Sequence, residues 1–260
     1  MILPGVASVT FRKLSARQVV EAAAKAKLAG IEWGGDIHVP HGRADVAREV
    51  AAMTRDAGVA VSSYGSYYRL GQETPEVLPR VVETAVALGA PIIRVWAGGV
   101  ASRDATAEYR TIVESDGRCA AELAQQVDLR VATEWHGNTL TDTAESARAL
   151  LDAVGHPCFK TYWQPLHHDP SKCLSELEVA MPDLVGLHVY WEDPASGRNR
   201  PLAEGAGLWQ AAFHQVALRR PAGQVFAMLE FVMNDSVEQM LDDAAAMRAW
   251  LDQEKLRCTC

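Results

Sequence analysis

Four side chains that can bind a metal ion occur where four successive apolar, strand-like segments of the sequence end. They are Glu134 after 129–133, Gln164 after 159–163, His188 after 184–187 and Glu230 after 224–229. Two carboxylates, one amide oxygen and one imidazole form an oxygen-rich set without thiolates. Such a set suits Mn²⁺ best, with Mg²⁺, Co²⁺ and Zn²⁺ as alternatives. If the segments are neighbouring parallel strands, their carboxyl ends meet at one edge, and the sequence predicts one shared metal site.

A single glutamate at a strand end is more often a salt-bridge partner or a helix cap than a functional group. Four such side chains in succession are a different case from one. An isolated buried charge is strongly unfavourable, so four buried donors close together need a common partner. A cation shared by all four would offset their desolvation together. We therefore interpret the set as a metal site.

The four segments belong to an alternation of strand-like and helix-like patterns that runs along the whole chain. Strands are predicted at 5–11, 30–34, 59–64, 91–97, 129–135, 159–163, 184–190 and 225–231. Helices are predicted at 15–28, 43–57, 75–88, 105–127, 141–154, 171–180, 207–219 and 236–255. Eight such units predict parallel pairing through right-handed crossovers and closure into an α/β protein, a (β/α)8 TIM barrel.

An open doubly wound sheet is the alternative architecture. It would place a glycine-rich phosphate loop after the first strand, and residues 5–13 contain no GxGxxG motif. The chain also has no linker, low-complexity segment or shift in composition. We therefore expect residues 1–260 to form one barrel domain.

Composition narrows the class of protein. The chain has 260 residues, 48% of them hydrophobic, and its net charge of −8 disfavours nucleic acid as a partner. No apolar run approaches the roughly 20 residues that a membrane span needs, and the amino terminus shows no signal peptide. Five cysteines without a CxxC pair predict a reduced, cytoplasmic protein, with Cys258 and Cys260 in an exposed tail.

The motifs together resemble those of the xylose isomerase-like barrels described as sugar phosphate isomerases/epimerases. This group includes ketose 3-epimerases, hydroxypyruvate isomerase and inosose dehydratase. Its pattern is Glu at strand 5, Asp-x-x-His at strand 6, His at strand 7 with Arg in the next loop, and Glu at strand 8. Glu134, His188 and Glu230 fit this pattern, and the loop 198–207 resembles the family's Arg-x-x-Pro-Gly-x-Gly segment.

The chain departs from the family at strand 6, which reads Gln164-Pro-Leu-His167. A neutral Gln164 in the position of the family's Asp makes the ligand set less negative and the metal more weakly held. We favour Gln164 as the fourth ligand because it occupies the Asp position. The alternative is that Gln164 only hydrogen-bonds the site and that His167 or His168 is the ligand.

The resemblance implies that Glu134 and Glu230 act both as ligands and as acid and base. One glutamate would remove a proton next to a sugar carbonyl, the metal would stabilise the enediolate, and the other glutamate would return a proton. Return to the opposite face gives epimerisation, and return to the neighbouring carbon gives isomerisation. Loss of a β-hydroxyl group gives dehydration instead. The sequence does not choose among these reactions.

Aromatic and polar residues near the strand ends are candidates for the substrate pocket, because aromatic faces suit the apolar face of a sugar. We predict that the following side chains contact the substrate: His38, Tyr64, Arg94, Trp96, His136, His167, Tyr190 and Arg200. Alternation turns Trp135 and Trp163 away from the site. An internal ion pair with Glu32 is an equally good role for Arg94.

The expected partner is a small, unphosphorylated polyol or keto sugar, since no glycine-rich phosphate cradle follows strands 7 or 8. Two other functions fit the sequence less well. An endonuclease IV-like enzyme would need further histidines at strands 2 and 3 and in the strand-7 loop, and 192–207 contains none. A non-catalytic sugar-binding barrel is disfavoured by the intact Glu134 and Glu230. Homo-oligomer formation is left open.

Overall fold

Eight parallel strands close into one barrel in chain order, because β8 pairs with β1 as well as with β7. The computed structural model describes residues 1–219 and 223–257, so Cys258 and Cys260 lie outside the described part of the chain. The strands are β1 Ile2–Ala7, β2 Gly30–Gly34, β3 Ala60–Arg69, β4 Ile92–Trp96, β5 Arg130–Glu134, β6 Phe159–Trp163, β7 Leu184–Val189 and β8 Val225–Leu229. The predicted (β/α)8 architecture is confirmed.

A helix follows each strand and packs against the outside of the barrel. The helices are α1 Ala16–Lys25, α2 Ala44–Asp56, α3 Val77–Leu88, α4 Ala107–Gln125, α5 Ala144–Val154, α6 Pro170–Ala180, α7 Ala206–Arg219 and α8 Val237–Arg257. Local signals set several of their ends: Ser15 forms a capping box with Gln18, and Gly89 ends α3 in the left-handed conformation. None of the helices in the described ranges is long and apolar enough to cross a membrane.

Two strand predictions were wrong in their limits. Strand 1 was predicted at 5–11, but the chain leaves the sheet after Ala7 and forms a buried 3-10 turn, where Ser8 Oγ accepts a hydrogen bond from Gly34 N at 2.9 Å. A continuous apolar run does not distinguish a buried strand from a buried turn. Strand 3 was predicted to end at 64 and continues to Arg69, through a register shift that contains Tyr67 with φ +60°.

Large side chains fill the interior of the barrel on the amino-terminal side of the polar strand ends. Some of them fit only because the residue opposite them is a glycine. Tyr162 is fully buried, and its ring centre lies 5.3 Å from that of His188. Gly186 on β7 pairs with Tyr162 in the sheet, and a Cβ atom at Gly186 would lie 2.2 Å from the tyrosine ring. The absence of a side chain at Gly186 therefore leaves room for the ring that supports His188.

We expect Gly186→Ala to destabilise the fold by about 1–3 kcal/mol, because the added methyl group overpacks a closed interior. Gly207→Ala is the matched control: it lies in the first turn of α7, and its Cβ would meet nothing within 4 Å. Urea unfolding of both variants measures the difference. Equal stability of the two would contradict this account of the interior.

Candidate active site

The four predicted metal ligands lie together at the carboxyl end of the barrel. Glu134 is the last residue of β5, Gln164 follows β6, His188 lies near the end of β7 and Glu230 follows β8. All four are at least 95% buried. One ligand atom from each of Glu134, His188 and Glu230 lies within 4.8 Å of the others. Four adjacent strands thus bring their end residues to one point.

The imidazole of His188 shows where the donors converge. Its Nδ1 atom lies 3.1 Å from Glu134 Oε1, 3.3 Å from Gln164 Oε1 and 3.2 Å from Glu230 Oε2. The Gln164 amide nitrogen donates to Trp135 O at 2.7 Å, which turns its oxygen towards this point. The geometry favours Gln164 over His167 as the fourth donor.

A divalent cation fits this donor set. Among the described residues, Glu230 Oε2 is buried and contacts His188 Nδ1 at 3.2 Å, but it forms no well-aligned hydrogen bond. A buried carboxylate oxygen in that state is unfavourable. A cation among the four donors would satisfy that oxygen. Two carboxylate oxygens, an amide oxygen and an imidazole nitrogen are suitable ligands for Mn²⁺ or Mg²⁺.

Glu32 also belongs to the cluster, although the sequence predicted it only as a partner of Arg94. Its Oε1 accepts from Arg94 Nε at 2.9 Å and lies 3.3 Å from His188 Nε2, and its Oε2 accepts from Ser63 Oγ at 2.8 Å. A carboxylate behind a histidine orients the ring and so directs its other nitrogen to a metal. A glutamate in the middle of the apolar segment 30–34 was the signal that could have indicated this role.

Arg94 and Trp96 both act on Glu134. Arg94 Nη1 and Trp96 Nε1 donate hydrogen bonds to the same oxygen, Glu134 Oε2, and Arg94 is 1% exposed. Glu134 Oε1 remains directed at His188. Arg94 therefore pairs with both Glu32 and Glu134 inside the barrel. The pair with Glu32 is the alternative role that the sequence predicted for Arg94, and the pair with Glu134 is an additional one.

The two glutamates consequently differ in proton affinity. Burial would raise the pKa of Glu134, but Arg94 and His188 hold it well below its usual range. Burial raises the pKa of Glu230 to about 7, and none of the arginines in the described residues pairs with it directly. Burial would lower the pKa of His188, but the facing carboxylates of Glu230, Glu32 and Glu134 raise it to about 10. Before a metal binds, His188 therefore holds a proton at neutral pH.

The charges of the cluster suit a glutamine at 164. The three carboxylates of Glu32, Glu134 and Glu230 are balanced by the guanidinium of Arg94 and one dication when His188 is neutral. An aspartate in place of Gln164 would leave one buried negative charge without compensation. A neutral residue at Gln164 and a positive one at Arg94 are therefore both needed for the net charge of the metal-bound cluster to be zero.

A cavity of about 240 Å³ opens above the cluster. Its lining consists of His136, Gly137, 164–168, 190–192, Leu208 and Phe231. Three residues predicted to contact substrate, His136, His167 and Tyr190, are among them. Trp96 lies beside the cavity, since its ring centre is 4.8 Å from that of His136.

Three other residues predicted to contact substrate are not in the lining of this cavity. His38 is buried, and its two ring nitrogens contact Ser8 Oγ and Leu14 O, both at 3.0 Å. The Tyr64 hydroxyl donates to Val39 O at 2.7 Å, outside the cluster. The Arg200 guanidinium pairs twice with Glu204 in the loop after β7. Their polar atoms are engaged with these partners, so the structure does not bring these three side chains to the cluster.

Two aromatic residues at the barrel mouth have left-handed backbones, which are unfavourable for bulky side chains. Tyr67 has φ +60°, and its ring centre lies 5.2 Å from that of Trp96. Phe231, directly after Glu230, has φ +52° and contacts the Tyr190 ring edge-on with centres 5.5 Å apart. Sequence periodicity gives no signal for either conformation. Such strain is typical of functional sites.

Comparison with known proteins agrees with this architecture. The xylose isomerase-like TIM barrel family matches residues 20–250. Similar solved structures include the probable 3-DHS dehydratase AsbF from Bacillus anthracis, with 19% identity, a TM-score of 0.76 and coverage of 96% of this chain and 98% of that chain. A D-allulose 3-epimerase from Methylomonas sp. has 15% identity, a TM-score of 0.71 and coverage of 97% and 98%.

A third structure is a xylose isomerase-like TIM barrel protein from Mycobacterium smegmatis in complex with magnesium. It has 15% identity, a TM-score of 0.70 and coverage of 97% of each chain. No curated protein matches the chain in sequence. At these identities, the solved structures establish a shared fold and nothing finer.

We expect Mn²⁺ binding to release protons, because the metal displaces the proton of His188 and, below pH 7, that of Glu230. Affinity should rise about tenfold per pH unit between pH 7 and 10 and about 100-fold per unit below pH 7. Calorimetric titration in buffers of different ionisation enthalpy counts the released protons. His214→Ala, which changes a half-buried histidine of α7 that pairs with Glu254, should bind Mn²⁺ as the parent protein does. Binding at pH 8 without proton release would refute the assignment of the His188 proton.

We expect Gln164→Asp to strengthen Mn²⁺ binding by roughly tenfold or more, because an ionised oxygen replaces a neutral one beside the cation. His167→Ala should leave the affinity within about twofold, since the His167 Nε2 atom lies 3.1 Å from Glu176 Oε1 on α6. Both affinities follow from calorimetric titration. An unchanged affinity in Gln164→Asp together with lost binding in His167→Ala would show that His167 is the ligand.

Proposed function

The chain belongs to the xylose isomerase-like TIM barrel family, and from this we propose that it is a divalent-metal-dependent isomerase or epimerase of a small sugar or keto-polyol. One observation carries the proposal: four buried donors converge at the catalytic end of the barrel, and in the described part of the chain the Glu230 oxygen among them contacts His188 Nδ1 at 3.2 Å without a well-aligned hydrogen bond. A buried carboxylate in that state is suited to take a proton from a bound molecule.

Glu134, Gln164, His188 and Glu230 would hold the metal, with Mn²⁺ the best fit. When bound, the ion would polarise a substrate carbonyl and offset the charge that develops as the adjacent C–H bond loses its proton. Glu230 takes that proton. Arg94 and Trp96 hold Glu134 in one orientation, and the Glu32 carboxylate lies behind the His188 ring, 3.3 Å from Nε2.

The cavity supports a small substrate. Its volume of about 240 Å³ is roughly that of eight liquid water molecules. Tyr190, Trp191 and Phe231 supply apolar surface for a sugar or polyol, and His136 and His167 supply polar contacts. The magnesium complex and the D-allulose 3-epimerase among the similar structures favour the same class of chemistry. The net charge of −8 favours a small molecule over nucleic acid.

The free cysteines bear on the cellular location of the protein. Cys119, Cys158 and Cys173 are free thiols in the described part of the chain. Free thiols are typical of proteins in reducing compartments. We therefore infer a cytoplasmic enzyme.

Dehydration of a keto sugar is the second candidate, and a specific observation favours it. Both donors on Glu134 Oε2 reduce the ability of Glu134 to exchange a proton, so the cluster presents one base, Glu230. Epimerisation at one carbon needs proton transfer on both faces, whereas elimination needs one base and an acid for the departing hydroxyl group. A probable 3-DHS dehydratase is among the similar structures.

A panel of ketoses, aldoses, inososes, hydroxypyruvate and 3-DHS, incubated in deuterium oxide with Mn²⁺, tests the function. We expect one class of compound to take up deuterium or to lose water. Mass spectrometry and NMR identify the product, which decides among epimerisation, isomerisation and dehydration. If the metal-loaded protein exchanged no carbon-bound proton in any class, the proposal would be abandoned.

Two glutamine variants form a matched pair for the mechanism. Glu230→Gln keeps an oxygen donor and removes the base, so exchange should fall by about 10²–10⁴-fold. Glu134→Gln, assayed at saturating Mn²⁺, should lose less, because Glu134 serves as a ligand. Equal losses in the two variants would instead indicate that both glutamates transfer protons.

A further inference from the structure

Glu176 on α6 is a buried carboxylate on a helix face whose other buried residues are Cys173, Leu177 and Ala180. Its Oε1 lies 3.1 Å from His167 Nε2, and its Oε2 is buried without a hydrogen bond. Within residues 1–219 and 223–257, His167 is the one side chain that forms an ion pair with this carboxylate. Because a buried carboxylate is strongly unfavourable without a partner, this pairing is the physical reason for a charge at 176.

The helix α6 holds His167 at two points. Cys173 Sγ donates to the His167 carbonyl oxygen at 3.1 Å, and Glu176 faces the ring. His167 also lines the cavity above the cluster, together with Gln164. With Nε2 directed at Glu176, Nδ1 is the ring nitrogen that remains for a molecule in the cavity.

The other two histidines of the cavity lack this support. His136 Nδ1 contacts the carbonyl oxygen of its neighbour Gly137 at 2.7 Å. Among the described residues, neither His136 nor His168 forms an ion pair with a carboxylate. A carboxylate behind a histidine fixes the orientation of the ring, and proton-transfer histidines use this arrangement.

We propose that His167 is a second proton-transfer group of the site and that Glu176 is the residue that positions it. The reaction it serves rests on the proposed function. In elimination, Glu230 takes the carbon-bound proton and the electron pair of that C–H bond forms the C=C bond. The C–O bond then breaks with its electrons on oxygen, and His167 protonates that oxygen, which leaves as water. In isomerisation, His167 takes a proton from one substrate oxygen and returns it to the other.

Three variants test the pairing by NMR of the Mg²⁺-loaded protein. The His167 Nε2–H proton, covered by Glu176, should give a resolved signal in slow exchange with water. Glu176→Ala should abolish the signal, whereas Glu176→Gln should retain it because the amide oxygen still accepts. Glu178→Ala is the control: it changes the same helix, but Glu178 pairs with Gln215 and Arg219. A signal that persists in Glu176→Ala would overturn the proposal.

Measurements of turnover distinguish a positioning role of Glu176 from a role in packing alone. With the panel compound that the parent protein converts, Glu176→Ala should lower kcat by about 10- to 100-fold, with KM and Mn²⁺ affinity within about twofold. Glu176→Gln should lose less, and Glu178→Ala should match the parent. A kcat of Glu176→Ala equal to that of Glu178→Ala would refute the catalytic role. If no panel compound reacts, the proposed function fails, while the NMR signal still decides the pairing.

Discussion

Repulsion among three buried carboxylates is the constraint on which the rest of the site depends. Glu32, Glu134 and Glu230 all lie within contact distance of one imidazole, His188, and all are almost fully buried. Such a group of charges is unstable unless cations offset it. Arg94 supplies one fixed positive charge between Glu32 and Glu134. The remaining charge is provided by a proton on His188 or, in our proposal, by a divalent metal that displaces it.

This arrangement gives each glutamate a different chemical character. Glu134 receives two hydrogen bonds on one oxygen, so it is held as an anion with a fixed orientation. Among the described residues, Glu230 pairs with His188 and with no arginine, and burial raises its pKa to about 7. Chemically equivalent residues at equivalent strand ends are thus separated into a ligand and a base by their neighbours. The same charge balance suits a neutral Gln164 in place of the aspartate of the family pattern that the sequence resembles.

The site combines a rigid floor with walls made by loops. The floor consists of barrel residues such as Tyr162, whose ring needs Gly186 opposite it. The walls come from the segments after β5 to β8, and α6 reaches one of them through Glu176 and His167. A barrel interior is well suited to hold charges at fixed distances, whereas loops can vary to fit a substrate.

The sequence alone determined the barrel and the convergence of Glu134, Gln164, His188 and Glu230. Apolar periodicity is a local property, and parallel strands necessarily bring their carboxyl ends to one edge. Only the tertiary structure decided which polar atoms meet: that His38 is engaged by Ser8 and Leu14, and that Arg94 bridges two carboxylates. Those contacts join residues distant in the chain, and they depend on side-chain orientation across the barrel, which periodicity does not encode.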